Sequence, residues 1–212
     1  MIYNEDKHLN LSIGQALTVQ QPELEFVFLD DASTDDTPKY LYSKLLQDNR
    51  IKFLRHFYNQ GRGYARYHAF KYSSGAHIMF LDADDFMDAS RIWNIYLKAV
   101  KSDADIFDFQ VNIVEYDNVT HTYKTVVRKL LQSFCFKTTD PLVIHRVFRR
   151  RYYFPAVWRK VYKRELFEKA FRMAMPFIKG TRFNAGEDVY LNHFLFLYAK
   201  KLGCTRSVLY YY

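Results

Sequence analysis

Only two cysteines occur in the 212 residues, Cys135 and Cys204. That is too few for the bridge framework that staples small secreted domains, so a reducing cytosol is the default compartment. Proline and glycine are sparse too, at 5 and 7 residues, and no Pro-rich or Gly/Ser-rich stretch divides the chain as a linker would. No apolar run approaches the roughly 20 residues of a membrane-spanning helix; Phe194 to Ala199 is a typical short one. The opening Met1-Ile2-Tyr3-Asn4-Glu5-Asp6 lacks the basic-then-apolar order of a secretory leader. No internal period of about 20–50 residues repeats. These absences point to a soluble, intracellular chain, and a length prior of about 100–200 residues per domain favours one domain.

Several catalytic signatures are missing as well. The seven histidines show no His-Glu-x-x-His spacing and the two cysteines lie far apart, which argues against zinc. There is no Gly-x-Ser-x-Gly elbow and no Walker motif. Gly61-Arg62-Gly63 has Arg66 where a dinucleotide fingerprint needs its third glycine.

What remains is an ordinary globular balance, 49% hydrophobic and 25% charged, which excludes wholesale disorder. Lys and Arg exceed Asp and Glu by 31 to 23, a net charge of +8, so an anionic partner is expected: a nucleotide phosphate, an anionic membrane surface or nucleic acid. Aromatic residues reach 18% and mostly signal core, because they dominate buried area.

Helical and strand patterns alternate along the first two thirds. Leu9, Ile13, Ala16 and Leu17 keep helical spacing, predicting a helix over 5–20. Glu25 to Asp30 reads as a buried strand, and Thr37-Pro38 opens a second helix. Strands are expected at 51–57, 77–81 and 105–115, with helices at 64–73 and 88–101. Beyond Asp117 the pattern weakens to a β-ribbon over 117–127, helices over 163–173 and 187–201, and a strand over 208–212. Such alternation implies an α/β fold with a mostly parallel sheet flanked by helices.

The informative chemistry is acidic. Two predicted strands run into carboxylates, Leu29-Asp30-Asp31-Ala32-Ser33-Thr34-Asp35 and Phe80-Leu81-Asp82-Ala83-Asp84-Asp85, and open α/β sheets bind ligands at the carboxyl ends of strands. Neighbouring acids repel unless a cation or donors compensate, and hard oxygen ligands suit Mg²⁺ or Mn²⁺ together with substrate phosphates. Read blandly, the first cluster is turn and cap chemistry.

Tyr3-Asn4-Glu5, Asp30 to Asp35, Asn59-Gln60-Gly61-Arg62-Gly63 and Phe80 to Asp85, in that order, resemble the signature of family 2 glycosyltransferases. Trp158-Arg159-Lys160-Val161-Tyr162 and Gly186-Glu187-Asp188 resemble the family's Trp-x-Lys-x-Tyr and Glu-Asp segments. The resemblance implies a GT-A fold, Rossmann-related, acting on a nucleotide-diphospho-sugar. It assigns Asp31 to the donor base, with Tyr3 lining the base pocket and Glu5 and Ala83 among the donor-binding residues. Asp82 would meet the ribose or a metal-bound water, Asp84 the Mn²⁺ or Mg²⁺, and Arg66 the diphosphate. Asp188 would be the general base, with Glu187 positioning the acceptor. Residues 1–116 would hold nucleotide-sugar and metal, and residues 117–212 the acceptor, within one domain.

The family carries an apolar strand before Tyr-Asn-Glu, where this chain has only Met1-Ile2. The expectation is therefore a sheet lacking its first strand and a chain shortened at both ends. The implied activity is inverting, metal-dependent transfer of a sugar, with UDP as the carrier nucleotide, to a glycan or lipid-linked hydroxyl in cell-surface polysaccharide or lipopolysaccharide synthesis. A catalytically impaired sugar-nucleotide or anion-binding module and a GT-A-like nucleotidyltransferase are the alternatives. The basic aromatic run Arg146 to Phe154, with Trp158-Arg159-Lys160 and Lys163-Arg164, reads as a solvated face plus ordinary core aromatics, or as a patch for an anionic membrane at the inner face of the plasma membrane. Nucleic acid is the least favoured partner.

Overall fold

The computed structural model describes residues 1–117, 122–126, 135–149, 156–178 and 186–212. Two sheets organise the chain. In the first, β1 (Phe26–Asp30) pairs in parallel with β2 (Ile51–Arg55), from Phe26 opposite Ile51 to Asp30 opposite Arg55. Helices α1 (Leu9–Ala16) and α2 (Thr37–Leu45) flank this pair, sharing a small core of Ile2, Leu9, Ile13, Leu41 and Ala83. The helix expected over 5–20 is shorter because its ends are claimed elsewhere. The Glu5 N–H donates to Thr37 Oγ1, and the Thr18 hydroxyl donates to the Gln15 carbonyl.

The second sheet is mixed. Its order is β3 (His77–Ile78), β7 (Lys160–Lys163), β5 (Ile106–Asp117), β8 (Leu202–Tyr211) and β4 (Phe86–Met87), with β6 (Thr122–Val126) paired to β5. Among the described residues of this sheet only β5 and β8 run in parallel; β3–β7, β5–β7, β4–β8 and β5–β6 are antiparallel. The sheet is thus less parallel than the alternation predicts: β6 follows β5 directly as an antiparallel ribbon, and the short β4 and β7 add antiparallel to β8, β3 and β5. Three helices, α3 (Arg62–Tyr72), α6 (Arg164–Ile178) and α7 (Glu187–Tyr198), enclose the largest core, with Phe70, Phe167, Phe171, Leu195 and Phe196 at its centre. Ile144 and Val147 from α5 (Pro141–Arg149) close that core. Across the sheet, Ile92 and Ile95 of α4 (Ala89–Ser102) pack on Phe107, Phe109 and Leu209.

The expected strand gap is partly bridged. Ile2 donates its N–H to Leu29 O at 2.9 Å and accepts from the Asp31 N–H at 2.8 Å, a single parallel bridge beside β1. Behind it, a cavity of about 270 Å³ separates β1 from β3, lined by Ile2, Val27, Phe28, Ile78, Phe80 and Leu81 among others. The strand predicted over 77–81 accordingly contracts to His77–Ile78, since residues 79–81 face that cavity rather than a partner strand.

Three further readings are corrected. Arg159 and Lys160 are no solvated face, being 1% and 0% exposed, while Trp158, at 5%, is a core aromatic. Arg159 Nε donates to Asp108 Oδ1 at 3.0 Å, the Lys160 ammonium donates to the Ala156 carbonyl, and Trp158 stacks on Tyr210. Burial pushes the Lys160 ammonium down to about 7. Two cysteines pointed to a reducing cytosol by default, yet Cys135 and Cys204 form a disulfide across a separation of 69 residues, with Cα atoms 5.4 Å apart. The last helix stops at Tyr198 rather than 201 because β8 begins at Leu202, six residues earlier than predicted, and uses its added length to line β5. Residues 150–155, which carry most of the run Arg146 to Phe154, and residues 118–121 and 127 of the expected ribbon lie outside the described residues.

Candidate active site

A cleft of about 660 Å³ opens at the carboxyl end of β1 and is lined by Tyr3, Glu5, Asp31, Asp82, Ala83 and Asp84, together with Met1, Asn59, Gly61 and Arg62. Six of the residues named from sequence therefore share one cavity. Arg66, Glu187 and Asp188 stand behind it.

The loop after β1 is held by its own short side chains. Asp30, fully buried, accepts the Ser33 N–H at 3.0 Å and pairs with Arg55. The Asn4 side chain accepts the Thr34 N–H at 2.8 Å, and Asp35 accepts the Thr37 N–H at 3.0 Å. Ala32 lies in the left-handed region at φ 67°, a conformation that costs a non-glycine residue about 1–2 kcal/mol. The turn sets Asp31 facing the cleft while burying it to 1% exposure. Its Oδ1 accepts from His56 Nδ1 at 2.6 Å and the Gln60 N–H at 2.9 Å, and its Oδ2 accepts the Gly61 N–H at 2.9 Å. Gly61 reaches that position at φ 86°, where a side chain would be strained.

The loop carrying Asp82, Ala83 and Asp84 is tied to β8. The Tyr210 hydroxyl accepts the Asp82 N–H at 3.1 Å and donates to Asp85 Oδ2 at 2.5 Å. Asp85 is buried, and burial, with Asp84 and Asp82 adding to it, pushes its carboxyl up to about 7 against the pull of that hydroxyl. Asp84 alone of the three is exposed, pointing into the cleft. Burial and the nearby Asp84 raise Glu5 above the usual carboxylate range.

Arg66 joins the two acidic motifs. From α3, its Nη2 donates to Asp82 Oδ1 at 3.0 Å and its Nη1 to Glu187 Oε1 at 3.0 Å and to Asp188 Oδ1. Gly63, one turn earlier, allows this approach: a Cβ there would stand 3.4 Å from that of Glu187 and 3.1 Å from Ile178 Cγ2. Arg66 is 3% exposed. Burial alone would weaken its charge, but Asp82, Asp188 and Glu187 more than reverse that. The guanidinium that sequence reading aimed at a diphosphate is thus already enclosed by carboxylates. At Asp82, Arg66 outweighs burial and holds the carboxyl below its ordinary range. At Asp188 burial prevails and raises it. Asp188 Oδ2 also accepts the Val157 N–H at 3.4 Å.

Among the described residues no group of three or more His, Cys, Asp or Glu side chains is arranged to hold a metal ion. With Asp82 committed to Arg66, Asp84 is the hard oxygen ligand left open to the cleft, a donor set that fits Mg²⁺ or Mn²⁺ completed by substrate phosphates. Sequence reading missed His56, which bonds Asp31, and Tyr210, which holds the Asp82 loop. Neither sits in a motif, and only the fold brings them to the site.

The family model described as glycosyl transferase family 2 matches residues 1–180. Glycosyltransferase GlyG of Streptococcus pneumoniae serotype 4 is 26% identical over 225 residues, covering 95% of this chain and 69% of GlyG. The Escherichia coli UDP-Glc:alpha-D-GlcNAc-diphosphoundecaprenol beta-1,3-glucosyltransferase WfgD is 28% identical over 76% of this chain and 64% of its own length. Among solved structures, Staphylococcus aureus TarS 1–349 in complex with UDP-GlcNAc superposes with a TM-score of 0.77 at 19% identity. That match covers 99% of this chain and 56% of TarS 1–349, so this chain spans little more than half of that fragment.

Proposed function

The chain belongs to glycosyl transferase family 2, and from that premise we propose that it moves a sugar from a UDP-sugar to a hydroxyl of a glycan or lipid-linked acceptor, inverting the anomeric carbon, in cell-surface polysaccharide or lipopolysaccharide synthesis. The observation that carries this reading is the single cleft where Asp31, Asp82 and Asp84 meet, with Arg66 linking Asp82 to Glu187 and Asp188. The UDP-GlcNAc held by TarS supports the donor class, and the diphosphoundecaprenol named for WfgD supports a lipid-linked acceptor.

In this mechanism Asp31 and Tyr3 hold the base, while Glu5, Ala83 and Asp82 line the sugar-nucleotide. Asp84 with the diphosphate oxygens would hold Mn²⁺ or Mg²⁺, which offsets the charge that develops on the leaving group. Asp188 takes the proton of the acceptor hydroxyl as its oxygen attacks the anomeric carbon. The bond from that carbon to the phosphate oxygen breaks, and the nucleoside diphosphate leaves with the electron pair. Burial raises the basicity of Asp188, which suits this role, and Glu187 fixes its neighbour through their shared Arg66. No described helix is long and apolar enough to cross a membrane; attachment to an anionic surface is part of the proposal, resting on the net charge of +8, while the Cys135–Cys204 disulfide stands against a reducing cytosol.

Calorimetry with UDP and Mn²⁺ tests the reading. The wild type should bind UDP more tightly with Mn²⁺ than without, and Asp84→Ala should abolish the metal-dependent part. A variant that bound UDP–Mn²⁺ as tightly as the parent would overturn the assignment. A donor screen following release of nucleoside diphosphate then identifies the sugar.

A further inference from the structure

Asp31 is wired to two histidines that no motif contains. His56, just past β2 and 9% exposed, places Nδ1 2.6 Å from Asp31 Oδ1, and its Nε2 lies 2.8 Å from Nδ1 of His68 on α3. The two rings stand nearly perpendicular, 5.0 Å apart. Tyr64 packs on His68 with ring centroids 4.4 Å apart, and the His56 backbone N–H is bonded to Asp30 O at 2.9 Å. Both imidazoles are thereby fixed in place.

The hydrogen bonds define a direction. An ionised carboxylate only accepts, so His56 Nδ1 must carry the proton. His56 Nε2 is then a lone pair in the neutral ring, and His68 Nδ1–H is the donor that meets it. The tautomer of each ring is assigned from this network. Burial lowers the pKa of His68, with His56 adding to it, in keeping with a neutral ring. Oδ1 of Asp31 is filled by two donors, while Oδ2 has one, from Gly61. Oδ2 retains one accepting position on a carboxylate that lines the cleft.

We propose that His56 and His68 are positioning residues that hold Asp31 as an acceptor-only carboxylate and so select a donor nucleotide whose base offers a ring N–H. This rests on the reading of the cleft as a nucleotide-sugar site. Uracil, with N–H at position 3, satisfies Oδ2. Cytosine is the same size but presents a lone pair at that ring position, leaving a buried carboxylate facing an acceptor. The discrimination belongs to Asp31, and the relay fixes its plane and fills Oδ1 so that Oδ2 meets the base.

The test compares UDP with CDP, each with Mn²⁺, by calorimetry on the full chain. Wild type should prefer UDP. His56→Leu removes the donor and should lower the UDP-to-CDP preference by roughly tenfold, the worth of one charge-assisted hydrogen bond. His56→Asn keeps an N–H near the Nδ1 position and should restore most of the preference. His68→Phe keeps the packing on Tyr64 but loses the bond to His56, and should lower the preference by a smaller factor, about threefold. Circular dichroism and a cooperative melt establish that each variant is folded. If His56→Leu fails to fold, the Asn and Phe variants carry the comparison. An unchanged UDP-to-CDP ratio in folded His56→Leu or His68→Phe, or a His56→Asn variant no better than Leu, overturns the relay while leaving the cleft intact. A wild type that binds neither nucleotide overturns the cleft reading and the relay together.

Discussion

Replacing Arg66 by methionine would leave Asp82, Glu187 and Asp188 facing one another without their shared cation. The side chain of Arg66 is 3% exposed, and those of its partners 20%, 8% and 22%. Removing one member of a buried ion pair costs about 3–5 kcal/mol, because a charge is left in the interior uncompensated. Here that is a large part of a total stability of about 5–15 kcal/mol. With a urea m-value of about 2–3 kcal/mol/M for a chain of this size, the midpoint should fall by roughly 1–2 M at pH 7.5.

The pH dependence identifies the cause. Asp82 has a depressed folded-state pKa in the wild type, through Arg66 against burial. It therefore contributes stability present above the unfolded value and lost as pH falls through the folded one. Without Arg66, burial loses its main opponent at Asp82 and Asp188, and their folded pKa values rise. The penalty then begins near the unfolded carboxylate pKa of about 4 and grows as pH rises toward the new values. The deficit should be markedly smaller at pH 5 than at pH 7.5. Arg66→Lys, which keeps charge but not the planar fork, should fall between the two. Urea unfolding followed by tryptophan fluorescence reads all of this. A midpoint that shifts equally at both pH values would refute the account and leave only lost packing.

Asp188→Asn keeps the size of the side chain but not its basicity, so UDP–Mn²⁺ affinity should hold within about twofold while transfer drops by roughly 10²–10⁴-fold; equal losses in binding and turnover would make its role structural. Tyr210→Phe removes the hydroxyl bonded to both Asp82 N–H and Asp85. It should cost about 1–3 kcal/mol in chemical denaturation and weaken UDP–Mn²⁺ binding, whereas unchanged binding would show that the loop holds without it. Cys204→Ser opens a link spanning 69 residues, worth about 4 kcal/mol by loop entropy. The melting temperature should fall by roughly 10 °C, with dithiothreitol producing the same drop in the wild type, and a melt indifferent to both would show the bond to be dispensable.

Local order was readable wherever a single element buried one face. Leu9, Ile13 and Ala16 predicted α1, and the apolar run ending in Asp30 predicted β1, because period and burial coincide there. Pairing was not readable. Lys160 to Lys163 looks like a basic surface and is instead a strand between β3 and β5, since Arg159 finds Asp108, 51 positions away in sequence, and Lys160 turns back to the nearby Ala156 carbonyl. The antiparallel short strands carry too few residues to show alternation. In the cleft, acids at strand ends could be placed because ligand sites favour that position in α/β sheets. The contacts of Arg66 could not, because they join residues 16, 121 and 122 positions apart.

The hydroxyl that fixes the Asp82 backbone belongs to a residue 128 positions downstream. At a synthesis rate of about 5–20 residues per second, the ribosome takes roughly 6–26 s to cover that interval. Throughout it the Asp82–Asp85 loop has no Tyr210 to close on, and β5 offers a long unpaired edge where β8 will lie. A nascent chain at this stage carries the residues of the turn after β1 but lacks the tyrosine that ties down the acidic loop opposite, so the cleft between them is incomplete. The same interval is when an exposed strand edge is open to mispairing with another chain. Expression yield should therefore respond to elongation rate and to chaperones over the codons between β5 and β8 more than to changes near the start of the message.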